Sequence, residues 1–362
     1  MTQHIELSAS ALKHNIMMAR QHLSHQQCWP CIKSNAYGHG MHEVARVLHD
    51  HVDGFCVVST TEALALRRDT NKPIFVLNTV EPEELNDCLD EGIILTLASD
   101  AQGALYAACG REVEAHLEVD TGMARSGFRW KHPSEMVEYV RQLPENIHIT
   151  GLWSHYAAAG ENHAFTQQQY EHFERFVLAY KQEISEDILV HFDKSATIFD
   201  SRYQQSDSWR SAFRLGIGTY GFDPEWGPNG VLRPVLTWKS QVTSIRTVGQ
   251  NEPVGYGLTF TAFRDTQIAT IPVGYADGLP RALSNRGYVL IQGVRCPIRG
   301  RVCMNLTMVE VPPEVAVGDE VVVIGQQGTG VISAFDMAEW ANTTHYEIVA
   351  RLRESIPRKI VA

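Results

Sequence analysis

The 362-residue chain lacks the features that mark membrane, exported and nucleic-acid-binding proteins. It contains no run of about 18 apolar residues, the length that a membrane-spanning helix needs. Its formal net charge is -11 and it has no dense Lys/Arg run, so a phosphate backbone or an anionic lipid surface is a poor partner. The first residues, MTQHIELSASALKHN, have no basic segment followed by an apolar core. We therefore expect a cytoplasmic protein with no nucleic-acid and no membrane partner.

A regular cysteine framework is also missing. The seven cysteines are scattered along the chain, and an intracellular redox poise would keep them as thiols. Cys28 and Cys31 form a Cys-x-x-Cys pair, but they precede or enter a short strand instead of opening a helix, and no second pair completes a zinc set. The nearby histidines lack cysteine or carboxylate partners at ligand spacing. We interpret Cys28 and Cys31 as core thiols and predict no metal site.

What the sequence does contain is an alternation of short apolar runs and amphipathic stretches through its first 220 or so residues. The strand candidates are residues 29–33, 54–59, 73–78, 93–99, 113–120, 147–156, 188–195 and 213–221. Helical patterns such as TTEALALRR and HPSEMVEYVRQL lie between them. Eight strand-helix units favour a closed (β/α)8 barrel of the TIM type over an open doubly wound sheet. We assign residues 1–228 to this α/β barrel domain.

Beyond a Pro- and Gly-rich segment, the pattern changes to successive strands joined by tight turns, such as VLTWKSQVTSIRTVG and YVLIQGVRCPIRGRV. Residues 229–362 are therefore predicted to form a smaller, mostly antiparallel β domain. A closing helix is expected over about residues 333–353, with Ser333 and Asp336 in a capping arrangement. The candidate strand at residues 4–8 could pack with this second domain instead of the barrel.

A barrel of this kind carries its active site at the carboxyl ends of the strands, and polar residues follow several of the apolar runs. Lys33, Asp120, His155 and Ser195 stand at such ends. A single lysine at a strand end is more often a partly solvated side chain than a catalytic one. A lysine desolvated beside other cations, however, has a lowered pKa and can form a Schiff base with an aldehyde cofactor.

The segment IKSNAYGHG around Lys33 resembles the pyridoxal-phosphate signature of alanine racemases. Other segments match the same family in order along the chain: VDTGMARSGF (119–128), SHYAAAGE (154–161), SAT (195–197), RLGIGTYG (214–221), VGYGLTFTA (254–262), VGYADGLPR (273–281), GRVCMN (300–305) and HYEI (345–348). The resemblance implies an isomerase that interconverts L- and D-alanine by a two-base mechanism on a pyridoxal 5'-phosphate aldimine. It also implies D-alanine biosynthesis for the cell wall, while a catabolic role stays open.

The family's site residues carry over to this chain position by position. Lys33 would hold the cofactor and exchange the α-proton together with Tyr256, which the other subunit of a homodimer would contribute. The resemblance assigns the cofactor phosphate to Tyr37, Ser195, the amides of Gly216 and Ile217, and Tyr346, and the cofactor ring to Arg125, His155 and Arg214. It assigns the substrate carboxylate to Arg125 and the partner subunit's Met304, and the entry to Tyr275 and Arg281.

Two catalytic groups are needed because one base can only remove and return a proton on its own face of a planar intermediate. A free tyrosine, with a pKa of about 10, is a poor base at neutral pH, so its surroundings must tune it. The chain Tyr256, His155, Arg214 is the expected means. An arginine that faces the pyridine nitrogen keeps its proton and weakens the cofactor as an electron sink. That suits a reaction in which the proton must return quickly.

Two positions depart from the family pattern. Glu118 stands where the family commonly carries a carbamylated lysine, and we predict that its carboxylate aligns Arg125 directly. Alternation within EAHLEVD predicts that Glu118 points inward with His116 and Asp120. Asn305 replaces the usual aspartate near the catalytic tyrosine, which leaves the pH optimum and the substrate range open.

Three other functions remain as alternatives. A racemase of broader range, acting for example on serine, would use the same residues with a wider side-chain pocket. A decarboxylase on the same barrel-plus-β plan fits the GRVCMN and Tyr256 segments less well. A non-catalytic pyridoxal-phosphate-binding protein would keep Lys33 and the phosphate-binding loop but would have no use for Tyr256.

Overall fold

A computed structural model describes residues 3–200, 209–222 and 231–362. The chain divides into two compact units that alternate along the sequence. The barrel unit comprises Ala11–Ser34 and Val44–Arg233, and the β unit comprises Met1–Ser10, Asn35–Glu43 and Pro234–Ala362. The predicted boundary between residues 228 and 229 lies outside the described residues.

The strands, in chain order, are β1 (Gln3–Ser8), β2 (Gln27–Cys28), β3 (Phe55–Val57), β4 (Ile74–Val76), β5 (Leu95–Leu97), β6 (Val113–Glu118), β7 (Ile147–Trp153), β8 (Leu189–His191), β9 (Ala212–Phe213), β10 (Leu236–Gln241), β11 (Ser244–Val248), β12 (Pro253–Val254), β13 (Phe260–Thr261), β14 (Thr266–Ile271), β15 (Tyr288–Ile291), β16 (Val294–Pro297), β17 (Thr307–Val311), β18 (Glu320–Gln327), β19 (Gly330–Ile332) and β20 (Arg358–Val361). The helices are α1 (Ala9–His22), α2 (Lys33–Tyr37), α3 (Met41–Leu48), α4 (Thr60–Arg67), α5 (Leu85–Asp90), α6 (Asp100–Ala108), α7 (Pro133–Gln142), α8 (His163–Glu183), α9 (Ser195–Ile198), α10 (Ala334–Ala341) and α11 (His345–Ala350).

The barrel unit contains a closed ring of eight parallel strands, β2 to β9. β3 pairs with β4, β5 to β8 pair in succession, and β9 pairs back with β2. Single parallel bridges complete the ring, namely Cys31 with Cys56, Phe75 with Ile94, and Val190 with Ser211. Since a helix follows each strand up to β8, the predicted (β/α)8 barrel is confirmed.

Side-chain caps fix the residues at which barrel helices begin. Ser59 accepts a hydrogen bond from the Glu62 amide at the start of α4, and Ser99 accepts one from the Gln102 amide at the start of α6. Each cap satisfies an amide that has no partner inside its helix and typically contributes about 1 kcal/mol. The helices can therefore start soon after the preceding strands end, which keeps the connections short.

The first barrel strand, Gln27–Cys28, lies just before the predicted residues 29–33, which contain Pro30. Pro30 has no N–H to donate toward β3, and the pairing with β3 is a single bridge of Cys31 with Cys56. The Pro30 carbonyl still accepts from the Cys56 amide at 3.0 Å, and the Cys31 amide donates to the Leu215 carbonyl at 2.8 Å. Pro30 therefore removes one donor from the ladder without opening the ring.

Aromatic rings from several strands fill the barrel interior. The ring centroid of Phe75 lies 4.7 Å from that of His116, 5.1 Å from that of His191 and 5.6 Å from that of Trp153. These residues belong to four different strands, so their rings meet inside the barrel. Gly151 leaves room for them, since a Cβ at this position would clash with the His116 ring.

The β unit is built from sheets that are mostly antiparallel, as predicted. Its larger sheet has the order β16-β15-β18-β10-β1-β20, with β19 paired to β18, and a second sheet has the order β11-β14-β17. β12 and β13 form a hairpin. The candidate strand at residues 4–8 is β1, which pairs antiparallel with β10 and parallel with β20 and so belongs to the β unit.

The single closing helix predicted over about residues 333–353 is wrong in its extent. The predicted cap is present, since Ser333 Oγ accepts from the Asp336 amide at 3.1 Å. The helix ends at Asn342, whose φ of 55° is left-handed, and Thr344 then caps α11. Within residues 3–200, 209–222 and 231–362, no helix has both the length and the apolar character that crossing a membrane requires.

Candidate active site

Lys33 begins a left-handed turn directly after the first barrel strand. In α2 the four residues from Ser34 to Tyr37 have φ values between 52° and 54°. For L-residues this conformation costs roughly 1–2 kcal/mol each, so surrounding contacts must hold it. One such contact is Glu62, whose carboxylate accepts from the amides of Ser34 and Val58. Among the described residues Lys33 has no hydrogen-bond or ion-pair partner, which leaves its amine open to a covalent bond.

Ser195 and a glycine turn form a small anion cradle in the barrel unit. Ser195 is buried at the start of α9, and its Oγ accepts from the amides of Gly216 at 3.0 Å and Gly218 at 3.1 Å. A Cβ at Gly218 would lie 2.9 Å from Leu215 Cδ1 and 3.3 Å from Ser195 Oγ, so the turn packs closely at this glycine. Ile217, also buried, lies between the two amides. Hydroxyl and amide donors at strand ends suit a phosphate group.

Arg214 is a buried cation whose bonds go to neutral groups. It is 3% exposed, and its guanidinium donates at 2.7 Å to the carbonyls of His191 and Ser154. It also donates to Nδ1 of His191 at 2.7 Å and to Nδ1 of His155 at 3.3 Å. Burial lowers the pKa of Arg214 from its usual value, but an arginine titrates so high that it stays charged. The bonds therefore fix a permanent donor in the barrel interior.

Three histidines around Arg214 are held neutral. Burial, followed by the charge of Arg214, lowers the pKa of His116 to about 3 and holds the pKa values of His155 and His191 well below the usual range. The charge of Lys33 also lowers the pKa of His155, so the two residues are electrostatic neighbours. Because His191 Nδ1 accepts from Arg214, its proton lies on Nε2, 2.8 Å from His116 Nδ1.

Sequence reasoning missed His191, although a signal for it was present. His191 lies in the run LVHFDKS two and four residues before Asp193 and Ser195, so strand alternation puts these polar side chains in register. A second buried polar series, His116, Glu118 and Asp120, follows the same spacing on another strand. Comparing the two runs would have predicted a contact between histidines inside the barrel.

Glu118 points inward as predicted, but the expected direct bond to Arg125 is absent. Glu118 is 4% exposed, and its Oε1 accepts from Ser126 Oγ at 2.8 Å, while Oε2 has no partner among the described residues. Arg125 is exposed and acts on Glu118 only through its charge. Burial is the larger effect and raises the pKa of Glu118 to about 7. Ser126, the residue after Arg125, donates a hydrogen bond to the Glu118 carboxylate instead.

Asp120 folds the loop that carries Arg125. Its Oδ1 accepts from the amides of Gly122 at 2.9 Å and Ala124 at 3.1 Å. The Asp120 amide donates to Phe128 at 2.9 Å, which closes the loop at its base. Ala124 has a φ of 56°, a left-handed conformation that turns the chain just before Arg125.

Tyr256 lies in the turn between β12 and β13 of the β unit. The flanking Gly255 and Gly257 have φ values of 75° and 71°, which favour glycine. A Cβ on Gly255 would lie 2.8 Å from Met308 Cε, so the Met308 side chain packs closely against the turn. The tyrosine side chain is 72% exposed in the single chain.

The other predicted substrate and entry residues of the β unit lie on two touching loops. The Tyr275 amide donates to the Cys303 carbonyl at 3.0 Å, and the Ala276 amide donates to the Met304 carbonyl at 2.9 Å. Gly274 packs directly against these carbonyls. The exposed side chains on these loops are Tyr275, Arg281, Met304 and Asn305.

Tyr37 and Tyr346, both predicted to bind phosphate, are neighbours within the β unit. Their ring centroids are 6.3 Å apart. Tyr346 is in the first turn of α11, after the cap at Thr344. Gly38 packs so closely on the Val349 carbonyl that a Cβ would clash with it. The turn after Lys33 therefore carries Tyr37 to the start of α11.

The cysteine thiols take no part in these arrangements. All seven are free thiols, and Cys28 and Cys31 are 0% and 7% exposed, as expected for core residues. Among the residues that the structure describes, no group of three or more His, Cys, Asp and Glu side chains is arranged to hold a metal ion.

Comparison with known proteins gives a consistent result over the whole chain. Family models match at residues 7–224, for the alanine racemase N-terminal domain, and at residues 235–360, for the alanine racemase C-terminal domain. The alanine racemase of Halothermothrix orenii is 38% identical over 369 residues, covering 98% of this chain and 95% of that protein. That of Cutibacterium acnes is 34% identical over 367 residues, covering 98% and 96%.

Solved structures agree with this result. Alanine racemase from Bacillus anthracis with bound L-Ala-P has a TM-score of 0.91 at 28% identity, covering 100% of this chain and 95% of that chain. Alanine racemase from Bartonella henselae with covalently bound pyridoxal phosphate has a TM-score of 0.87 at 28% identity and covers 100% of both chains.

A barrel that presents an open lysine and an anion cradle, followed by a β unit with an exposed tyrosine, defines a pyridoxal-phosphate-dependent racemase. The full-length matches agree with this class. The chain belongs to the alanine racemase family, as the motifs predicted.

The residues present fit pyridoxal phosphate, the cofactor of this family. Lys33 offers an unpaired amine, and the Ser195 hydroxyl, which accepts from the amides of Gly216 and Gly218, keeps its own proton to donate to a phosphate oxygen. Arg214 supplies a buried donor that no described carboxylate side chain neutralises through a hydrogen bond. Each of these groups matches one part of the cofactor.

Proposed function

We propose that this enzyme interconverts L- and D-alanine, with Lys33 and Tyr256 as the two groups that exchange the α-proton. The observation that carries the proposal is the pair of available groups, an amine without a described partner in the barrel unit and a phenol that is 72% exposed in the β unit. Two opposed bases are what a stereochemical inversion requires, since each base serves one face of the substrate.

Several residues would hold the cofactor. We propose covalent attachment at Lys33 and binding of the phosphate by Tyr37, Ser195, Gly216, Ile217 and Tyr346. Arg214 would donate to the pyridine nitrogen and Arg125 to the phenolic oxygen. Pyridoxal phosphate, when bound, supplies the electron withdrawal that makes the substrate α-proton acidic.

Arg214 limits how much electron withdrawal is available. Its partners His155 and His191 are neutral, so no acid near it competes to protonate the ring nitrogen. Arg214 itself cannot give up a proton at neutral pH. Weaker withdrawal of electrons favours rapid return of the proton to the substrate. Racemisation needs this rapid return, whereas side reactions are favoured by a slower one. His155 would transmit the charge of Arg214 toward the tyrosine.

Substrate binding and access complete the proposal. Arg125 and the partner subunit's Met304 would hold the alanine carboxylate, and Tyr275 and Arg281 would line the entry. Glu118 would orient Arg125 through its charge, since the two share no hydrogen bond or ion pair among the described residues. Asn305 would border the tyrosine. We keep cytoplasmic location and a role in D-alanine biosynthesis as predictions.

We also propose a head-to-tail homodimer in which each active site combines the barrel unit of one subunit with the β unit of its partner. The support is the exposure of apolar side chains in the β unit, where Leu258 of the tyrosine turn is 66% exposed, Phe263 62% and Met304 56%. Soluble proteins seldom leave such groups in water unless a partner covers them. The shared site explains why Tyr256 is open in a single chain.

Mixing two inactive variants tests the shared site. In a dimer of Lys33→Ala with Tyr256→Phe, one site combines both defects and the other combines Lys33 with Tyr256. Random reassociation of equal amounts should therefore restore about a quarter of wild-type activity, because half of the dimers are mixed and each has one intact site. Failure to regain activity after verified subunit exchange would place both groups in one chain and overturn the shared-site proposal.

The reaction itself is tested by incubating single enantiomers in deuterated water. Alanine should gain an α-deuteron and appear as the mirror-image product. A panel of L-amino acids, serine included, then measures specificity, and comparable rates for several of them would favour the broader-range alternative. Cofactor absorbance without exchange would instead support a non-catalytic binding protein.

A further inference from the structure

Asn285 joins the two loops that surround Tyr256 in the β unit. Its Oδ1 accepts from the Gly300 amide at 2.6 Å. Its Nδ2 donates to Thr259 twice, to the carbonyl and to Oγ1, both at 3.2 Å. Thr259 ends the turn that begins at Gly255, and Gly300 begins the segment GRVCMN. One side chain therefore spans the end of the tyrosine turn and the start of the neighbouring loop.

Gly300 is also in contact with the beginning of the same turn. A Cβ on Gly300 would lie 2.6 Å from the Val254 carbonyl, and a Cβ on Gly255 would lie 3.7 Å from Gly300 Cα. Asn285 bonds Gly300 at this point and Thr259 at the far end. The turn is thus held from both sides.

Tyr256 depends on this backbone support because its side chain has no other. Within the described part of the chain its phenol forms no hydrogen bond, and the side chain is 72% exposed. Its neighbours Gly255 and Gly257 have the conformational freedom of glycine, which makes the turn easy to distort. The position of the phenol is therefore set by whatever fixes residues 255–259.

The preceding residue strengthens the same connection. Ser284 Oγ accepts from the Val302 amide at 3.0 Å and donates to the Arg281 carbonyl at 2.6 Å. Asn285 itself has a φ of 59°, a left-handed conformation in which asparagine is among the tolerated residues. That conformation turns its amide toward both loops. Asparagine therefore suits both the left-handed backbone and the hydrogen bonds at this position.

We propose that Asn285 is a positioning residue for Tyr256: by bonding Thr259 and Gly300 together it fixes the turn that presents the phenol for proton transfer. This role rests on the proposed racemase function. It predicts that loosening Asn285 impairs the proton transfer at the tyrosine more than the proton transfer at Lys33, although Asn285 touches neither substrate nor cofactor.

Two substitutions test this role. Asn285→Gly keeps the left-handed backbone and removes all three hydrogen bonds, whereas Asn285→Asp keeps the acceptor for Gly300 and removes the donor to the Thr259 carbonyl. We expect kcat to fall about 10-fold in Asn285→Gly and less in Asn285→Asp, since small misplacements of a reacting group are costly. Cofactor absorbance should be unchanged in both.

The decisive measurement is the primary kinetic isotope effect with α-deuterated L-alanine and with α-deuterated D-alanine. It should rise for only one enantiomer, the one whose α-proton the tyrosine removes. The matched control is Asn342→Gly, a left-handed asparagine with a φ of 55° at the end of α10, which should behave as wild type.

An isotope effect that rises equally for the two enantiomers or for neither, or a kcat equal to that of the control, would overturn the role of Asn285. Wild-type turnover is measured first, so that an absence of racemisation counts against the proposed function itself. Because Asn285→Asp retains the bond to Gly300, it keeps the proposal testable if Asn285→Gly fails to fold.

Discussion

The two units complete their halves of the proposed active site to different degrees. In the barrel unit Arg214 is 3% exposed with its partners in place, and Ser195 already holds two amides. In the β unit Tyr256 is 72% exposed, and its phenol has no hydrogen-bond partner among the described residues. The barrel half is thus buried with its hydrogen-bond partners in place, whereas the Tyr256 and Met304 side chains of the β half are exposed on an ordered backbone.

This difference indicates that the two units have different roles in the proposed active site. The cofactor groups must resist water and keep fixed protonation states, so they are buried among neutral histidines. In the proposed dimer the tyrosine would reach a substrate that another copy of the chain holds, and its place on a short glycine-flanked turn fits that role. Substitutions in the two units should therefore fail in different ways.

The largest effect is expected from Lys33→Ala in the barrel unit. Because Lys33 is the proposed point of attachment, both the cofactor absorbance and the activity should disappear, with a fall in rate of at least about 1000-fold. The visible spectrum of the purified variant and the exchange assay measure the two effects. Lys13→Ala, an exposed lysine of the same unit, is the control. A cofactor spectrum that persists in Lys33→Ala would contradict the assignment.

Tyr256→Phe should remove only the catalytic group that the β unit contributes to the proposed site. Activity should fall by about 100-fold to 10,000-fold, the usual range for a lost acid-base group, while cofactor absorbance and melting temperature stay at wild-type values. Tyr288→Phe, on β15 of the same unit, provides a matched removal of a phenol. Loss of the cofactor spectrum in Tyr256→Phe would show that the two halves are not separable.

Glu118→Gln should affect stability and activity in opposite directions. Burial raises the pKa of Glu118 from 4.5 to about 7, so between these values the folded state holds a proton that the unfolded chain has released. This contribution is full below pH 4.5 and is lost as the pH rises through 7, by up to about 3 kcal/mol. Glutamine cannot ionise, so the variant should melt higher than wild type at about pH 8.

The same variant should racemise about 10-fold more slowly, because Arg125 loses a nearby anion. Thermal melting over a pH series and the exchange assay check the two parts. Glu83→Gln, an exposed carboxylate of the barrel unit, should leave both curves unchanged. Bicarbonate should not restore activity to Glu118→Gln, and rescue by bicarbonate would disprove this account of Glu118.

The smallest effects are expected at the Cys-x-x-Cys pair. Cys28→Ala and Cys31→Ala should each lower the free energy of unfolding by about 1 kcal/mol through lost packing. A hydrogen bond to Cys56 lowers the pKa of Cys31 to about 7, but its burial keeps reagents away. Turnover with and without dithiothreitol should be equal in wild type and in both variants. A large dependence on the reductant would revive a redox role.

The sequence predicted the barrel and the β domain because strand periodicity and turn residues are local signals. It misjudged features that the apolar pattern does not carry. The helix break at Asn342 needs a left-handed residue that an apolar pattern does not reveal. The burial of Glu118 followed from alternation, but its bond to Ser126 instead of Arg125 depends on the fold of the loop at Asp120. The spacing of His191, Asp193 and Ser195 was a signal in the sequence, but the contact of His191 with His116 joins two strands that lie far apart along the chain.

The pairing of β1 with late strands affects how the chain folds during synthesis. Its sheet partners β10 and β20 leave the ribosome only after the whole barrel segment, so during synthesis β1 has no neighbour to pair with. Each barrel strand up to β8, in contrast, gains a neighbour within one strand-helix unit. Growth of the nascent chain should therefore yield a folded barrel tethered to a waiting strand, whose free edge is open to mispairing with other nascent chains until β10 emerges.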